Sequence, residues 1–126
     1  MAKKSFIAGE DLTGKYGFAI VAGANGVEIA GEAGVDCLGI LMNDGKEGKA
    51  VGVALVGEIT KAKLGGAVDF GALLAVDANG KFVEQAESAL AVAKALEDGK
   101  ANDLIYVVVL YLVKAKSRVN LKVRSN

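Results

Sequence analysis

The stretch FAIVAGANGVEIAG, residues 18–31, decides the fold. Two apolar segments flank Asn25-Gly26, and Asn-Gly is a strong signal for a tight hairpin because both residues accept a positive φ. The same dipeptide returns at Asn79-Gly80, and a third turn lies at 43–45, again between apolar segments rich in β-branched residues. Such residues favour strands because their side chains fit a pleated surface. We therefore predict β-strands on both sides of each turn.

The rest of the chain extends this pattern over what its 126 residues indicate is a single domain. Its 17 glycines separate short apolar runs, and strands at spacings of roughly 8–12 residues are typical of an all-β barrel or sandwich. We predict a small single-domain β-barrel or sandwich with tight hairpins. The predicted strands lie at about 18–23, 27–31, 38–42, 50–57, 58–62, 72–76, 81–84 and 104–113.

Residues 84–96 are ambiguous. Most of them are good helix formers, yet 89–96 alternates Ala with larger side chains, which is the period of a strand. A weak internal repeat favours the strand, because placing 39–57 over 93–111 superposes Asp44-Gly45-Lys46 on Asp98-Gly99-Lys100. Each of these triplets precedes an apolar run. We predict a strand over 89–96, with one short helix within 84–96 as the alternative.

The two ends of the chain differ from the β-domain predicted at 17–113. Residues 1–16 are either an arm that orders on a partner, or a first strand at 4–8 with a turn at 10–14. The tail 114–126 carries five basic residues and no acid, and these alternate with smaller or apolar residues as in a strand. It is either an edge strand guarded by charge or an arm that reaches an acidic or nucleic-acid partner.

The composition excludes several kinds of chemistry. The chain has no His and one Cys, which leaves no base for Ser-His-Asp or Cys-His catalysis and no ligand set for most zinc sites. Its net charge is zero, so no general attraction to nucleic acid is expected. The longest apolar run, 104–113, is too short to span a membrane, and the N-terminus lacks the apolar core of a secretion signal. We expect a soluble protein that stays where it is made.

The remaining candidates for chemistry are weak. No Gly-Lys pair is followed by Ser or Thr, so there is no Walker A loop. The acid pairs at 10–11, 84/87 and 97–98 adjoin turns and are best explained as solvated turn residues. Cys37 begins an apolar run and is best explained as a small buried hydrophobe, because no His can activate it. We therefore predict a protein that is not an enzyme, with no catalytic residue, metal or cofactor.

One stretch suggests a carrier domain. Residues 56–81 resemble the lipoyl and biotinyl barrels, in which a Val-rich strand meets a glycine-punctuated turn. The modified lysine of those domains lies at a hairpin tip in a Met-Lys-Met or Asp-Lys-Ala setting, and neither tripeptide occurs here. Lys46 or Lys81 would be the modified residue. This carrier domain is one alternative, and a small oligomeric β scaffold of cellular origin is another.

Taken in order, the motifs of residues 9–113 resemble the small capsid decoration, or cement, proteins of tailed bacteriophages. The resemblance rests on five pieces: GEDLTGKYGFAIV at 9–21, then Gly39-Ile40-Leu41, then Gly48 with Val51, Val53 and Gly57, then LAVDANGK at 74–81, and finally Ala95-Leu96 before Val107–Leu110. It implies an all-β virion protein, made in the host cytoplasm. Such a protein binds the outer surface of the expanded capsid and stabilises it. The tail after Val113 lies beyond the resemblance.

The resemblance also implies partners. These are the major capsid protein and further copies of the chain in a symmetric oligomer, a homotrimer in preference to a homodimer; no membrane, small-molecule substrate or nucleic acid is expected. We assign capsid contact to the mixed N-terminal segment and a second contact to the tail. The N-terminal candidates are Lys3, Lys4, Phe6, Asp11, Leu12, Thr13 and Tyr16. The tail candidates are Lys114, Lys116, Arg118, Lys122 and Arg124.

Overall fold

The computed structural model describes residues 4–86 and 89–114, and ten strands account for most of its regular structure. No residue of this described part is helical, and so no helix in it could cross a membrane. The strands are β1 (Lys4–Ile7), β2 (Ala19–Ala22), β3 (Val27–Ile29), β4 (Gly39–Leu41), β5 (Ala50–Ala54), β6 (Ile59–Lys63), β7 (Leu73–Val76), β8 (Phe82–Glu84), β9 (Leu90–Ala95) and β10 (Leu104–Lys114).

The strands form two five-stranded sheets in which all neighbouring strands run antiparallel. The first sheet has the order β1-β5-β4-β2-β3 and the second has the order β6-β10-β9-β7-β8. Each sheet also has one isolated parallel bridge. It joins the residue that follows the first strand of the sheet to the edge strand on the opposite side of the sheet. One bridge is not a ladder, so both sheets stay open. The domain is therefore a small β sandwich rather than a barrel.

The all-β prediction is confirmed, and the helix alternative for 84–96 is wrong for the described residues of that segment. Residues 90–95 form β9, which pairs with β7 and β10. Ala91, Ala93 and Ala95 are buried, whereas Lys94 between the last two is exposed. Pairing with β7 and β10 therefore overrides the helix propensity of the segment.

The tight hairpins predicted at both Asn-Gly pairs are confirmed. The β2–β3 connection comprises residues 23–26, and the β7–β8 connection comprises residues 77–81. Only the glycine of each pair has a positive φ. Gly26 is needed for a second reason, because a Cβ there would collide with the main-chain carbonyl of Ile7 in β1.

The two sheets are copies of one unit. Adding five to each strand number of the first sheet gives the order of the second. We call β1–β5 the first repeat and β6–β10 the second repeat. Both parallel bridges follow this rule, since Ala8 pairs with Val27 and Leu64 pairs with Phe82. The repeat seen in the sequence at Asp44 and Asp98 is thus one part of a duplication that covers every strand.

Hydrogen bonds outside the ladders repeat as well. The N–H of Gly14 donates to Asp44 Oδ2 at 2.6 Å, and the N–H of Phe70 donates to Asp98 Oδ1 at 2.7 Å. The two carboxylates therefore have equivalent roles. Each accepts a hydrogen bond that links the loop after the first strand of its repeat to the turn before the last strand. Gly48 and Asn102 occupy equivalent turns, with φ of 86° and 72°, and Asn is among the few residues other than Gly that accept this region.

Each repeat also has its own set of seven buried residues at matching positions. They come from the last four strands of the repeat and from the segment that follows its first strand. In the first repeat they are Ala8, Leu12, Ile20, Val27, Leu41, Val51 and Val53, and in the second they are Leu64, Val68, Leu74, Phe82, Ala95, Ile105 and Val107. Side chains on the same positions of the unit thus form both cores.

The repeats are joined by packing and by main-chain hydrogen bonds. The N–H of Ala19 donates to the carbonyl of Gly80 at 2.8 Å, and the N–H of Lys63 donates to the carbonyl of Gly17 at 2.9 Å. Ile40 and Ala54 of the first repeat belong to the same buried cluster as the core of the second. One of the two buried clusters therefore spans both repeats.

Truncation of a matched core residue is expected to destabilise the whole domain. Leu12 has no exposed surface, so Leu12→Ala should lower the free energy of unfolding by about 2–5 kcal/mol. Urea denaturation measures this change. Ile59→Ala is the control, because Ile59 is 59% exposed and its truncation should cost less than about 1 kcal/mol. Equal effects of the two substitutions would contradict the core position of Leu12.

Candidate interaction surface

The predicted N-terminal contact residues fall into two places. Lys4 and Phe6 lie on β1, which pairs with β5 over its whole length. Asp11 and Thr13 are exposed on the loop that follows β1, and Tyr16 at the end of that loop is half-buried. Lys3 lies outside the described residues. Residues 4–16 thus supply a strand and a loop of the first repeat.

The loop is held by its own side chains. Both the N–H and the Oγ1 of Thr13 donate to Asp11 Oδ1, at 3.1 and 2.6 Å. These bonds lower the pKa of the Asp11 carboxyl, with the side-chain bond as the largest cause and the backbone bond next. Gly14 is anchored to Asp44, and the N–H of Leu12 donates to the carbonyl of Gly45 at 2.8 Å. The loop is therefore a structured surface.

Leu12 is a correction within this set. Its side chain has no exposed surface and packs in the core of the first repeat. The sequence places it between polar residues, which suggested a surface position. The leucine side chain is buried in the core, while Asp11 and Thr13 on either side of it are exposed. Leu12 therefore cannot touch a partner.

An apolar groove runs beside β1. It has a volume of about 290 Å³ and is lined almost wholly by apolar atoms. We call it the β1 groove, and its lining residues are Phe6, Ile7, Ala22, Gly23, Gly26, Val27 and Leu38. Ile7 is 51% exposed and Leu38 is 37% exposed. Exposed large apolar residues that are clustered in this way mark an interaction site rather than ordinary surface.

A second cavity of about 390 Å³ adjoins the groove and shares Ala22 and Leu38 with it. Its wall includes Val21 and Cys37 from the first repeat and Val92 and Val109 from the second. Burial, and secondarily the charge of Asp36, raises the pKa of the Cys37 thiol to about 12. The thiol is thus protonated at neutral pH and acts as an apolar wall.

The C-terminal candidates lie at the end of β10. Lys114 pairs with Leu90 of β9 and is the last described residue, while Lys116, Arg118, Lys122 and Arg124 lie outside the described residues. β10 is longer than its equivalent β5 by six residues. Its pairing with β6 ends at Val108, so the strand continues beyond the edge of that neighbour.

The two lysines considered for a carrier domain have ordinary positions. Lys46 is exposed on the turn before β5. Lys81 lies just before β8, where its Nζ donates to Asn102 Oδ1 at 2.9 Å. Within residues 4–86 and 89–114, no group of three or more acidic or cysteine side chains is arranged to hold a metal ion.

Sequence reasoning missed the residues that form the exposed apolar surface. Ile7 lies in the segment predicted to be either an arm or a first strand, Leu38 begins the strand predicted at 38–42, and Val56, which is 49% exposed beside the second cavity, is near the end of the strand predicted at 50–57. The available signal was the internal repeat. Aligned fully, it sets Ile7 against a lysine of β6, Lys63, a position expected to be exposed.

Comparison with known proteins gives a likeness of fold. No family model matches the chain, and no curated protein matches it. Among solved structures, the chain is similar to the crystal structure of the head fiber gp8.5 N base in bacteriophage phi29. The likeness has a TM-score of 0.61 and 16% sequence identity, and it covers 85% of this chain and 92% of the other. At this identity it shows a shared fold.

The burial of Cys37 predicts slow reaction with thiol reagents. At pH 8 a thiol of pKa about 12 is ionised roughly a thousandfold less than one at 9.0, and the greater nucleophilicity of its thiolate offsets only part of this, so alkylation should be more than about tenfold slower in the folded chain than in urea. Mass spectrometry of timed iodoacetamide reactions measures both rates. Linkage also predicts that the unfolding free energy falls as pH rises from 9.0 towards 12. Fast alkylation of the folded chain would contradict the enclosed position.

Proposed function

We propose that this protein is a structural component of a tailed-phage virion, which binds the outer surface of the expanded capsid as a symmetric oligomer and stabilises the shell. The observation that carries the proposal is the likeness, over 85% of the chain, to the base of a phage head fiber. The motif resemblance to capsid decoration proteins supports it independently, because it rests on sequence and not on fold.

The physical argument is one of linkage. A protein that binds only the assembled shell lowers the free energy of that state and so opposes its disruption. An oligomer can engage several capsid subunits at once, and such multivalency raises avidity by about 10²–10⁴ without new types of contact. A rigid domain suits this role, since little conformational entropy is lost on binding.

We assign the capsid contact to the loop of the first repeat, through Asp11, Thr13 and Tyr16, together with Lys3 and Lys4 at the start of the chain. The loop supports this choice because its hydrogen bonds fix the exposed groups before any partner arrives. The basic tail, 114–126, supplies a second contact, with the acidic body of a neighbouring subunit. The charges favour it, since the tail carries five positive charges in a chain of net charge zero.

Co-sedimentation with expanded capsids of the phage that carries this gene tests the proposal. The wild-type chain should pellet with the capsids at a saturable ratio, and the treated capsids should resist higher temperature. Asp11→Lys should weaken this binding about tenfold, because it reverses a charge at the contact. Asp69→Lys is the matched control, as Asp69 is exposed on the equivalent loop of the second repeat and should leave binding unchanged.

Two results would count against the proposal. Wild-type chain that stays in the supernatant would remove the capsid role. Equal loss of binding by both charge reversals would remove the assignment of the contact to the first-repeat loop. A chain shortened after Lys114 tests the tail separately, because unchanged assembly and unchanged capsid binding would eliminate the second contact.

A further inference from the structure

The two repeats have the same topology, but one face that is buried in the first repeat is not buried in the second. In the first repeat, five residues of this face are buried, and their main chain bonds to the second repeat as described above. We call this set the β2 face, and it consists of Gly17, Phe18, Ala19, Ile40 and Ala54. Its most exposed large side chain, Phe18, retains only 6% of its surface. The second repeat thus covers the β2 face completely.

The equivalent face of the second repeat is uncovered. We call it the β7 face, and it consists of Gly71, Ala72, Leu73, Lys94 and Val108. None of the five is buried, and Gly71 and Lys94 are exposed. A Cβ at Gly17 would lie 2.7 Å from Leu104 Cδ2, whereas a Cβ at Gly71 would meet nothing within 4 Å. The neighbour that packs on the β2 face therefore has no counterpart on the β7 face within the described chain.

The surface on which the β2 face packs differs between the repeats in the opposite sense, because it is covered in the second repeat and open in the first. The open side of the second repeat is covered by the first, and Ala62, Val76 and Val92 on it are 0–2% exposed. Their equivalents in the first repeat line the β1 groove and are Phe6, Ala22 and Leu38. None of these three is buried. The β1 groove is therefore the first-repeat equivalent of the surface that the β2 face covers in the second repeat, and nothing in the described part of the chain covers it.

We propose that copies of this chain associate head to tail, with the β7 face of one copy seated in the β1 groove of the next. The contact repeats between chains the one that already joins the two repeats within a chain. It gives the symmetric oligomer of the proposed function its interface, and it rests on that proposal only for the oligomer's role on a capsid.

The contact between the two repeats of one chain predicts which groups meet in the contact between copies. The N–H of Lys63 donates to the carbonyl of Gly17, so the N–H of Ile7 should donate to the carbonyl of Gly71 in the neighbouring copy. Gly71 has the same φ, 88°, as Gly17, which presents its carbonyl in the same way. Leu73 and Val108 then cover the apolar floor of the groove, as Ala19 and Ala54 do within the chain.

Lys94 is the one charged residue of the β7 face, at the position of Ile40. A lysine can lay its aliphatic stem along an apolar surface while its ammonium group stays in water. It also keeps the exposed β7 face polar before assembly. The substitution therefore fits a contact between separate chains, whereas the permanent contact inside the chain has an isoleucine.

A head-to-tail contact uses two different surfaces, and this gives it a distinctive test. Native mass spectrometry at protein concentrations up to about 100 µM, well above a micromolar Kd, should find assemblies of the wild-type chain. Ile7→Glu in the groove and Leu73→Glu on the β7 face should each reduce the mass to that of one chain, 12.8 kDa. A mixture of the two variants should restore association, because each supplies the surface that the other lacks. The restored species should be a dimer with one copy of each variant.

Ala101→Glu is the matched control. It adds the same charge on an exposed turn, at the position where the first repeat already has Glu47, and its assembly should equal that of the wild type. A second pair, Leu38→Glu and Val108→Glu, repeats the test with different side chains. Circular dichroism melts identify any variant that has lost its fold, and the other pair then decides.

Three results would overturn the inference. These are a wild-type chain that remains a monomer, a pair of folded variants that do not associate when mixed, and a groove variant that assembles normally. Capsid co-sedimentation separates this outcome from the proposed function. Assembly without capsid binding would retain the head-to-tail contact and reject the capsid role. Capsid binding by a chain that remains a monomer would retain the capsid role and reject the head-to-tail contact.

Discussion

The packing of the β2 face against the second repeat is the contact on which the rest of the structure depends. A five-stranded sheet from about half of this chain can cover one of its faces with its own loops, but it leaves the other face open to water. The second repeat covers that face with Lys63, Gly80 and the residues around them. Small side chains such as Ala19 and Ala54 allow the two main chains to approach closely enough for hydrogen bonds across the boundary.

The strands could be predicted from sequence because local rules and tertiary packing agree. Alternation and β-branched runs gave all the strands from β2 to β10, and the repeat of Asp44 on Asp98 resolved the ambiguity at β9. The turn type was not predictable, because the conformation at Gly26 is set by the approach of β1, which is distant in sequence. The burial of Leu12 and the exposure of Ile7 also depend on long-range pairing, and a reading of neighbouring residues does not contain it.

Duplication allows the core and the surface of such a small domain to change separately. Each repeat has its own set of seven core residues, so the surfaces of the two copies can diverge without loss of the fold. The divergence is visible at equivalent positions, where Ile40 corresponds to Lys94 and Gly52 corresponds to Tyr106. Tyr106 lies under the ammonium of Lys61 at 5.0 Å from the ring centre, an arrangement that a glycine cannot make. The two repeats thus carry different side chains at equivalent positions of the same unit.

The order of the repeats along the chain has a consequence during translation. All five strands of the first repeat have been made once residue 54 leaves the ribosome, but β10 is complete only 60 residues later. At about 5–20 residues per second, the first repeat therefore waits roughly 3–12 s for the surface that covers its β2 face. During that interval the nearest unpaired strand is β6, which follows β5 after only four residues and offers a competing hairpin. The alanines of the β2 face limit the apolar area exposed on the nascent chain, which reduces the hazard of aggregation before synthesis ends.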